Sequence, residues 1–258
     1  MNRITGKLIL VTGASSGIGE ACARRFAAEG ADLILWARRA DRLERVAAEL
    51  GTAHRVSVSP AVVDVRDRAA VNRAAEALGR ADRVPDVLIN NAGLASGLAK
   101  IHEGDPEDWD RMIDTNLKGL LNVSRAIMPH MVARRRGHVV NIGSTAGHQT
   151  YPMGNVYNAT KFGVRALTEG MNLDVAGTSL RVSAVDPGFV ETEFSEVRFH
   201  GDKERAGTVY QGFTPLSADD VADAIAYVVN LPDHVNILDL IIMPTAQRNV
   251  YVVDREQR

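Results

Sequence analysis

The chain has 258 residues, 45% of them hydrophobic and 24% charged, a balance that argues against a disordered, fibrous or membrane-embedded protein. With 30 basic against 32 acidic residues the formal net charge is -2, so no overall field draws in nucleic acid or an anionic membrane surface. Cys22 is the single cysteine and allows no intrachain disulfide, and the seven histidines are scattered without ligand spacing, which points to a reducing compartment and to no bound metal.

The apolar run Leu8–Val11 meets Gly13 almost at once, too early for a signal-peptide core, and no stretch approaches the roughly 20 apolar residues of a membrane span. A cytoplasmic location is expected. In chain order, β-branched runs recur at Leu8–Val11, Asp32–Trp36, Arg55–Val63, Val87–Ile89, His138–Ile142, Leu180–Val185 and Asn236–Ile242. Ala- and Leu-rich amphipathic segments of helical length separate them. This alternation predicts an α/β fold: a doubly wound, seven-stranded parallel sheet with right-handed crossovers and helices on both faces. No repeat or linker divides the chain, so one domain over residues 1–258 is expected. The longest stretch without strong periodicity, about Gly188 to Leu216, is expected to be a substrate loop or lid with a short helix inside it.

The first run ends in Thr12-Gly13-Ala14-Ser15-Ser16-Gly17-Ile18-Gly19 and leads directly into an Ala-rich helix. Glycines permit a tight turn and a close backbone approach to phosphate, and the helix N-terminus behind them favours negative charge. The same trio also suits an ordinary strand-to-helix turn. After the second run come Arg38 and Arg39 with no acid at the strand end, where a ribose 2′-hydroxyl would want one and a 2′-phosphate would want guanidinium. NADP(H) is therefore predicted over NAD. Asp64 ends the third run and precedes Val65; it suits either a nucleotide contact or a helix N-cap.

Tyr157 and Lys161 stand four residues apart and so share one helical face. A nearby ammonium and an oxidised nicotinamide would stabilise a phenolate and bring a group that titrates near pH 10 toward neutrality. Ser144 lies thirteen residues before Tyr157, just past the fifth run, placed either to bind a carbonyl oxygen or to serve as a turn residue. Asn116 sits inside a long amphipathic helix, where asparagine has only middling propensity.

Thr12-Gly13-x-x-x-Gly17-x-Gly19, Asn90-Asn91-Ala92-Gly93, Asn116, Ser144, Tyr157-x-x-x-Lys161 and Asp186-Pro187-Gly188 occur in the order and spacing of the short-chain dehydrogenase/reductase family, and the resemblance spans nearly the whole chain. It implies a Rossmann-type sheet of order 3-2-1-4-5-6-7 and a catalytic tetrad of Asn116, Ser144, Tyr157 and Lys161. It further implies cofactor contacts from Gly13, Ser15, Ser16, Gly17, Ile18, Gly19, Arg38, Arg39, Asp64, Val65, Asn91, Ala92, Gly93, Pro187, Gly188, Val190 and Thr192, besides Tyr157 and Lys161. In this family the asparagine kinks its helix and holds a water linked to the lysine, and members usually assemble as homotetramers.

Within the family, Asn155-Val156-Tyr157, Thr192-Glu193-Phe194-Ser195-Glu196-Val197-Arg198-Phe199 and the tail Met243-Pro244-Thr245 resemble the bacterial NADP-dependent 3-hydroxy acid dehydrogenases, also described as serine or L-allo-threonine dehydrogenases. A small 3-hydroxy acid substrate follows. Its carboxylate needs a cation, for which Arg198 is the candidate and Arg248 an alternative; Gln149 and Met153 are expected on the pocket wall. Two rivals are a 3-oxoacyl carrier-protein or broad carbonyl reductase, with Arg134-Arg135-Arg136 as a docking surface or simply a solvated helix end, and a non-catalytic NADP-binding redox sensor.

Overall fold

The computed structural model describes residues 2–256. Its strands are β1 (Leu8–Thr12), β2 (Asp32–Ala37), β3 (Val58–Val62), β4 (Val87–Asn90), β5 (Arg136–Ile142), β6 (Ser179–Pro187) and β7 (Asp239–Ile242). All pair in parallel, in the order β3-β2-β1-β4-β5-β6-β7. The predicted sheet and its order are both present.

Most strand ends differ from the sequence expectation by one or two residues, and two strand starts differ by three. The third begins at Val58, not Arg55, because the preceding helix α2 (Ala40–His54) continues to His54 and Arg55 closes it in the left-handed conformation, φ 57°. Pro60 lies within β3, where its missing N–H is tolerated because β3 is an edge strand. The seventh begins at Asp239 instead of Asn236, whose side chain instead donates to the Val182 carbonyl at 3.0 Å.

Alternation along each strand splits the apolar residues between two cores. Ile9 and Val11 of β1 face one side, packing with Leu33, Leu35 and Phe26; helices α1 (Gly17–Ala28) and α2 and the later helix α9 (Ala218–Val229) cover it. Leu10, Ile34, Trp36 and Leu88 face the other, under α3 (Arg68–Arg80), α5 (Leu120–Ala133) and α6 (Asn155–Asp174). Since β1 pairs with both β2 and β4, the crossovers part beside it, and a crevice opens at the carboxyl edge of the sheet.

Helix α4 (Pro106–Ile113) joins α5 through a π-helical turn, Asp114–Gly119, which contains Asn116. Between β6 and α9 lie two short helices, α7 (Phe194–Arg198) and α8 (Lys203–Thr208), where the sequence suggested one. The ends of this excursion are tied together by a bridge from Val190 to Leu216, with the Leu216 N–H donating to the Phe189 carbonyl at 2.9 Å. Ser217 and Asp220 then form a reciprocal capping box that starts α9. No helix among the described residues is long and apolar enough to cross a membrane.

Candidate active site

The turns at the carboxyl edge build one cleft of about 320 Å³. Every residue predicted to contact the cofactor lines it except Gly19. Gly13 and Gly17 turn the chain at φ 67° and 54°, conformations that glycine adopts without penalty. Gly19 acts from behind: a Cβ there would stand 2.4 Å from the Gly13 carbonyl oxygen and from Asn91 Nδ2. Asn91 Nδ2 donates to the Thr12 carbonyl at 2.9 Å, while the Thr12 hydroxyl accepts from the Asn91 and Ala92 N–H groups at 3.0 Å each, so the turns after β1 and β4 are locked together.

Helix α1 begins at this turn without a side-chain cap from Ser16, so its first N–H groups are left for an anion. At the far end Arg39 is held by the protein itself: it donates to Ser15 Oγ at 3.2 Å, Ser16 Oγ at 2.5 Å and Glu193 Oε2 at 2.8 Å. Arg38 is exposed and makes no side-chain hydrogen bond among the described residues. An uncapped helix start, a glycine cradle with no room for a Cβ and an arginine pair fit a phosphorylated dinucleotide. Asp64 lies at this end of the cleft with its carboxyl held below the ordinary range mainly by hydrogen bonds from the Arg66 side chain, one of 2.6 Å. It is not the N-cap of α3; Asp67 has that role, accepting from the Ala70 N–H at 3.0 Å.

At the other end α6 presents Tyr157 and Lys161, with Lys161 Nζ 5.9 Å from the Tyr157 ring centroid. Lys161 Nζ donates to the Ile142 carbonyl at 2.9 Å, and burial lowers it to about 8 against an upward pull from Asp186. Burial pushes the Tyr157 phenol above its ordinary value, while Arg198 and the Ser144 hydroxyl pull it down and Asp186 adds to the rise. Ser144 Oγ accepts from the Ala146 N–H at 3.1 Å and donates to the Pro187 carbonyl at 3.4 Å, so the turn residue and the cleft residue are one.

Asn116 is buried, and the π turn aims its amide at the strand β4 side of the cleft. Its Oδ1 accepts from the Leu94 N–H at 2.9 Å; its Nδ2 donates to the Leu94 carbonyl at 2.8 Å and to Thr160 Oγ1 at 3.0 Å. Gly93 is the meeting point, since a Cβ there would lie 3.3 Å from Asn116 Oδ1 and 3.8 Å from Lys161 Nζ. A π turn thus stands where the resemblance implies a kink.

Arg198 comes from α7 to lie over Tyr157, its Cζ 5.0 Å from the ring centroid. Its Nη2 donates to the Tyr151 hydroxyl at 2.5 Å, and its buried Nε has no partner among the described residues. Phe194 of the same helix meets the Tyr157 ring edge-on at 5.7 Å. The other two substrate candidates fall elsewhere. Gln149 is exposed and its Oε1 accepts from the Val250 N–H at 3.4 Å, because the chain after the 3-10 turn Thr145–Gly147 runs out toward the C-terminal tail. Met153 is exposed at φ 64° and lines a neighbouring groove with Asn155 and Tyr157 rather than the cleft.

Arg134 donates to the Val84 and Pro85 carbonyls, and Arg135 to the Gly177 carbonyl, so these side chains tie loops together. Tyr151 and Gln247 escaped the sequence reading, and Glu193 entered it for resemblance alone, not as the partner of Arg39. The Gln247 side chain crowds Gly188, its Oε1 accepting from the Phe189 N–H at 2.9 Å, and no local pattern announces a contact between residues so far apart.

Fold and cleft together define a dinucleotide-binding scaffold, with Tyr157 and Lys161 side by side at one end of the cleft. The sequence profile of the short chain dehydrogenase family matches residues 7–203, and the chain belongs to that family. It is 48% identical over 241 residues to the NADP-dependent 3-hydroxy acid dehydrogenase YdfG of Salmonella typhi, covering 93% of this chain and 96% of that one. It is 45% identical over 251 residues to sulfoacetaldehyde reductase 2 of Chromohalobacter salexigens, covering 96% and 99%. Among solved structures, the closed form of serine dehydrogenase complexed with NADP+ superposes with a TM-score of 0.91 at 44% identity, covering 97% of this chain and all of that one. The protein is an oxidoreductase that uses NADP(H).

Proposed function

We propose that the protein moves a hydride between NADP(H) and the C3 position of a small 3-hydroxy acid, of the serine, allo-threonine and 3-hydroxyisobutyrate kind. The observation that carries this reading is the guanidinium of Arg198, poised over Tyr157 with an unpaired buried Nε, since such a site suits a carboxylate lying beside the reacting carbon. NADP(H) supplies the hydride. Tyr157 gives a proton to the carbonyl oxygen in reduction and takes it in oxidation, with Ser144 positioning that oxygen. Lys161 and Arg198 are cations beside Tyr157 and favour its phenolate. Asn116 fixes the backbone at Leu94 and the Thr160 hydroxyl, and so the approach of α6 to the cleft.

The α7–α8 excursion of residues 188–216 acts as the substrate lid, carrying Arg198 and Phe194 to Tyr157. A sulfonated aldehyde is a second reading, favoured by the identity to sulfoacetaldehyde reductase 2 and by the match of a guanidinium to sulfonate as well as carboxylate. A cytoplasmic homotetramer completes the proposal, and the buried free thiol of Cys22 accords with a reducing compartment.

The test is NADP+ reduction with serine, L-allo-threonine, 3-hydroxyisobutyrate and 3-hydroxypropionate, with sulfoacetaldehyde and a 3-oxoacyl thioester run against NADPH. Turnover of a hydroxy acid with kcat/KM at least tenfold above the thioester supports the proposal; preference for the thioester overturns it. The cofactor end yields its own expectation. Arg38→Ala removes the uncommitted guanidinium and weakens NADPH by about ten- to a hundredfold, as a lost charge-assisted contact of roughly 1.5–3 kcal/mol requires. NADH affinity, measured by the same fluorescence titration, stays within about twofold.

A further inference from the structure

Behind the proton site lies a second group of ionisable side chains. Asp186, near the end of β6, is 1% exposed. Its Oδ1 points at Gly143, where a Cβ would stand only 1.9 Å away, and has no hydrogen-bond partner among the described residues. Gly143 is flanked by Ile142, whose carbonyl takes Lys161 Nζ, and by Ser144, so this carboxylate stands directly behind both. Its Oδ2 is hydrogen-bonded to Nε2 of His148, which follows the turn that Ser144 caps.

The charged and titratable groups around Asp186 come from three elements. His148 approaches from the turn; Lys161, Tyr157 and Arg165 lie on α6; Asp239 begins β7. Asp239 Oδ2 is 3.5 Å from His148 Nε2 and 4.0 Å from Arg165 Nε, which also meets Glu169 Oε1 at 3.3 Å. One potential ligand atom each from His148, Asp186 and Asp239 lie within 4.8 Å of one another.

We infer that Asp186 is a positioning residue for the proton step: its buried carboxylate, tied to His148, holds Lys161 as the ammonium and sets the pH window in which Tyr157 and Lys161 work together. The inference rests on Tyr157 and Lys161 as the proton pair and not on which substrate they serve. A carboxylate without solvent is tolerated only beside compensating partners. Burial raises Asp186 to about 6, while His148 and Lys161 pull it down and Asp239 pushes it up. Above that pH it is an anion, and its charge raises both Lys161 and Tyr157. Removing the charge therefore lowers both.

The experiment is the pH profile of kcat/KM for NADP+-linked alcohol oxidation. With NADP+ bound, the positive nicotinamide beside Tyr157 draws its phenol down below Lys161, so that Tyr157 ionising gives the acid limb and Lys161 losing its proton the alkaline limb; in Asp186→Asn both limbs move to lower pH by about one unit. The variant then loses about tenfold on the alkaline limb and gains up to about tenfold on the acid limb. His148→Ala truncates a partly exposed ring, leaves the carboxyl protonated to higher pH, and displaces the acid limb alone in the same direction. The phenolate absorbance of Tyr157, read with NADP+ bound as wild type minus Tyr157→Phe, follows the acid limb without any substrate. It keeps this test separate from failure of the substrate assignment. A loss by the same factor at every pH in folded Asp186→Asn overturns the inference. So does an acid limb that stays in place in His148→Ala, which decides the matter should Asp186→Asn not fold.

Discussion

Tyr157→Phe is expected to lower kcat by roughly a hundredfold to ten-thousandfold, the range that a positioned proton donor contributes, while NADPH affinity stays within about threefold. The substitution keeps the ring, and with it the edge contact to Phe194 and the stacking under Arg198, so the fold is preserved. What disappears is the hydroxyl, the group near Ser144 able to pass a proton to a carbonyl oxygen. Steady-state kinetics and a fluorescence titration of NADPH check the two halves separately. A variant that turns over at the wild-type rate excludes Tyr157 as the proton donor. A wild-type protein that binds NADPH and reduces none of the test carbonyls favours a redox sensor instead.

Arg198→Met is expected to cost about thirty- to a thousandfold in kcat/KM for carboxylated or sulfonated substrates and less than about threefold for an uncharged aldehyde of similar size. The first range corresponds to roughly 2–4 kcal/mol, one or two charge-assisted hydrogen bonds. Methionine retains much of the apolar stem over Tyr157, so packing against Tyr151 and Phe194 changes little. A second consequence separates this role from a structural one. Arg198 pulls the Tyr157 phenol down, so its removal moves the acid limb of oxidation to higher pH for every substrate, opposite in sign to Asp186→Asn. Arg198→Lys keeps the charge without the planar fork; it should restore the limb while recovering only part of the lost kcat/KM. Equal losses for charged and uncharged substrates would sink the carboxylate assignment.

The uneven legibility of this protein in its sequence follows from the range over which each feature is determined. The glycine turn, the Tyr157–Lys161 spacing and the strand pattern are local, and they survive folding nearly unchanged because backbone conformation and helical periodicity set them. Where local signals failed, a neighbour in space had intervened. Asp64 looks like an N-cap, yet Arg66 captures it and Asp67 caps α3. Gln149 lies close to Ser144 in sequence but is carried out of the cleft by the turn. Arg38 and Arg39 read alike as the phosphate grip, and both line the cleft; only the structure shows that Arg39 also bonds Ser15, Ser16 and Glu193 while Arg38 is uncommitted among the described residues.

The parallel α/β sheet and the phosphorylated cofactor were legible in the sequence, since strand periodicity, the glycine turn and the Arg38–Arg39 pair each depend on residue type at short, fixed spacing. Only the tertiary structure decided that Arg198 lies over Tyr157 and binds Tyr151, that Asn116 and Lys161 converge at Gly93, and that Asp186 stands behind Gly143 bonded to His148. These are contacts between segments tens of residues apart, and burial, which governs the proton affinities of Tyr157, Lys161 and Asp186, exists only once those segments have packed.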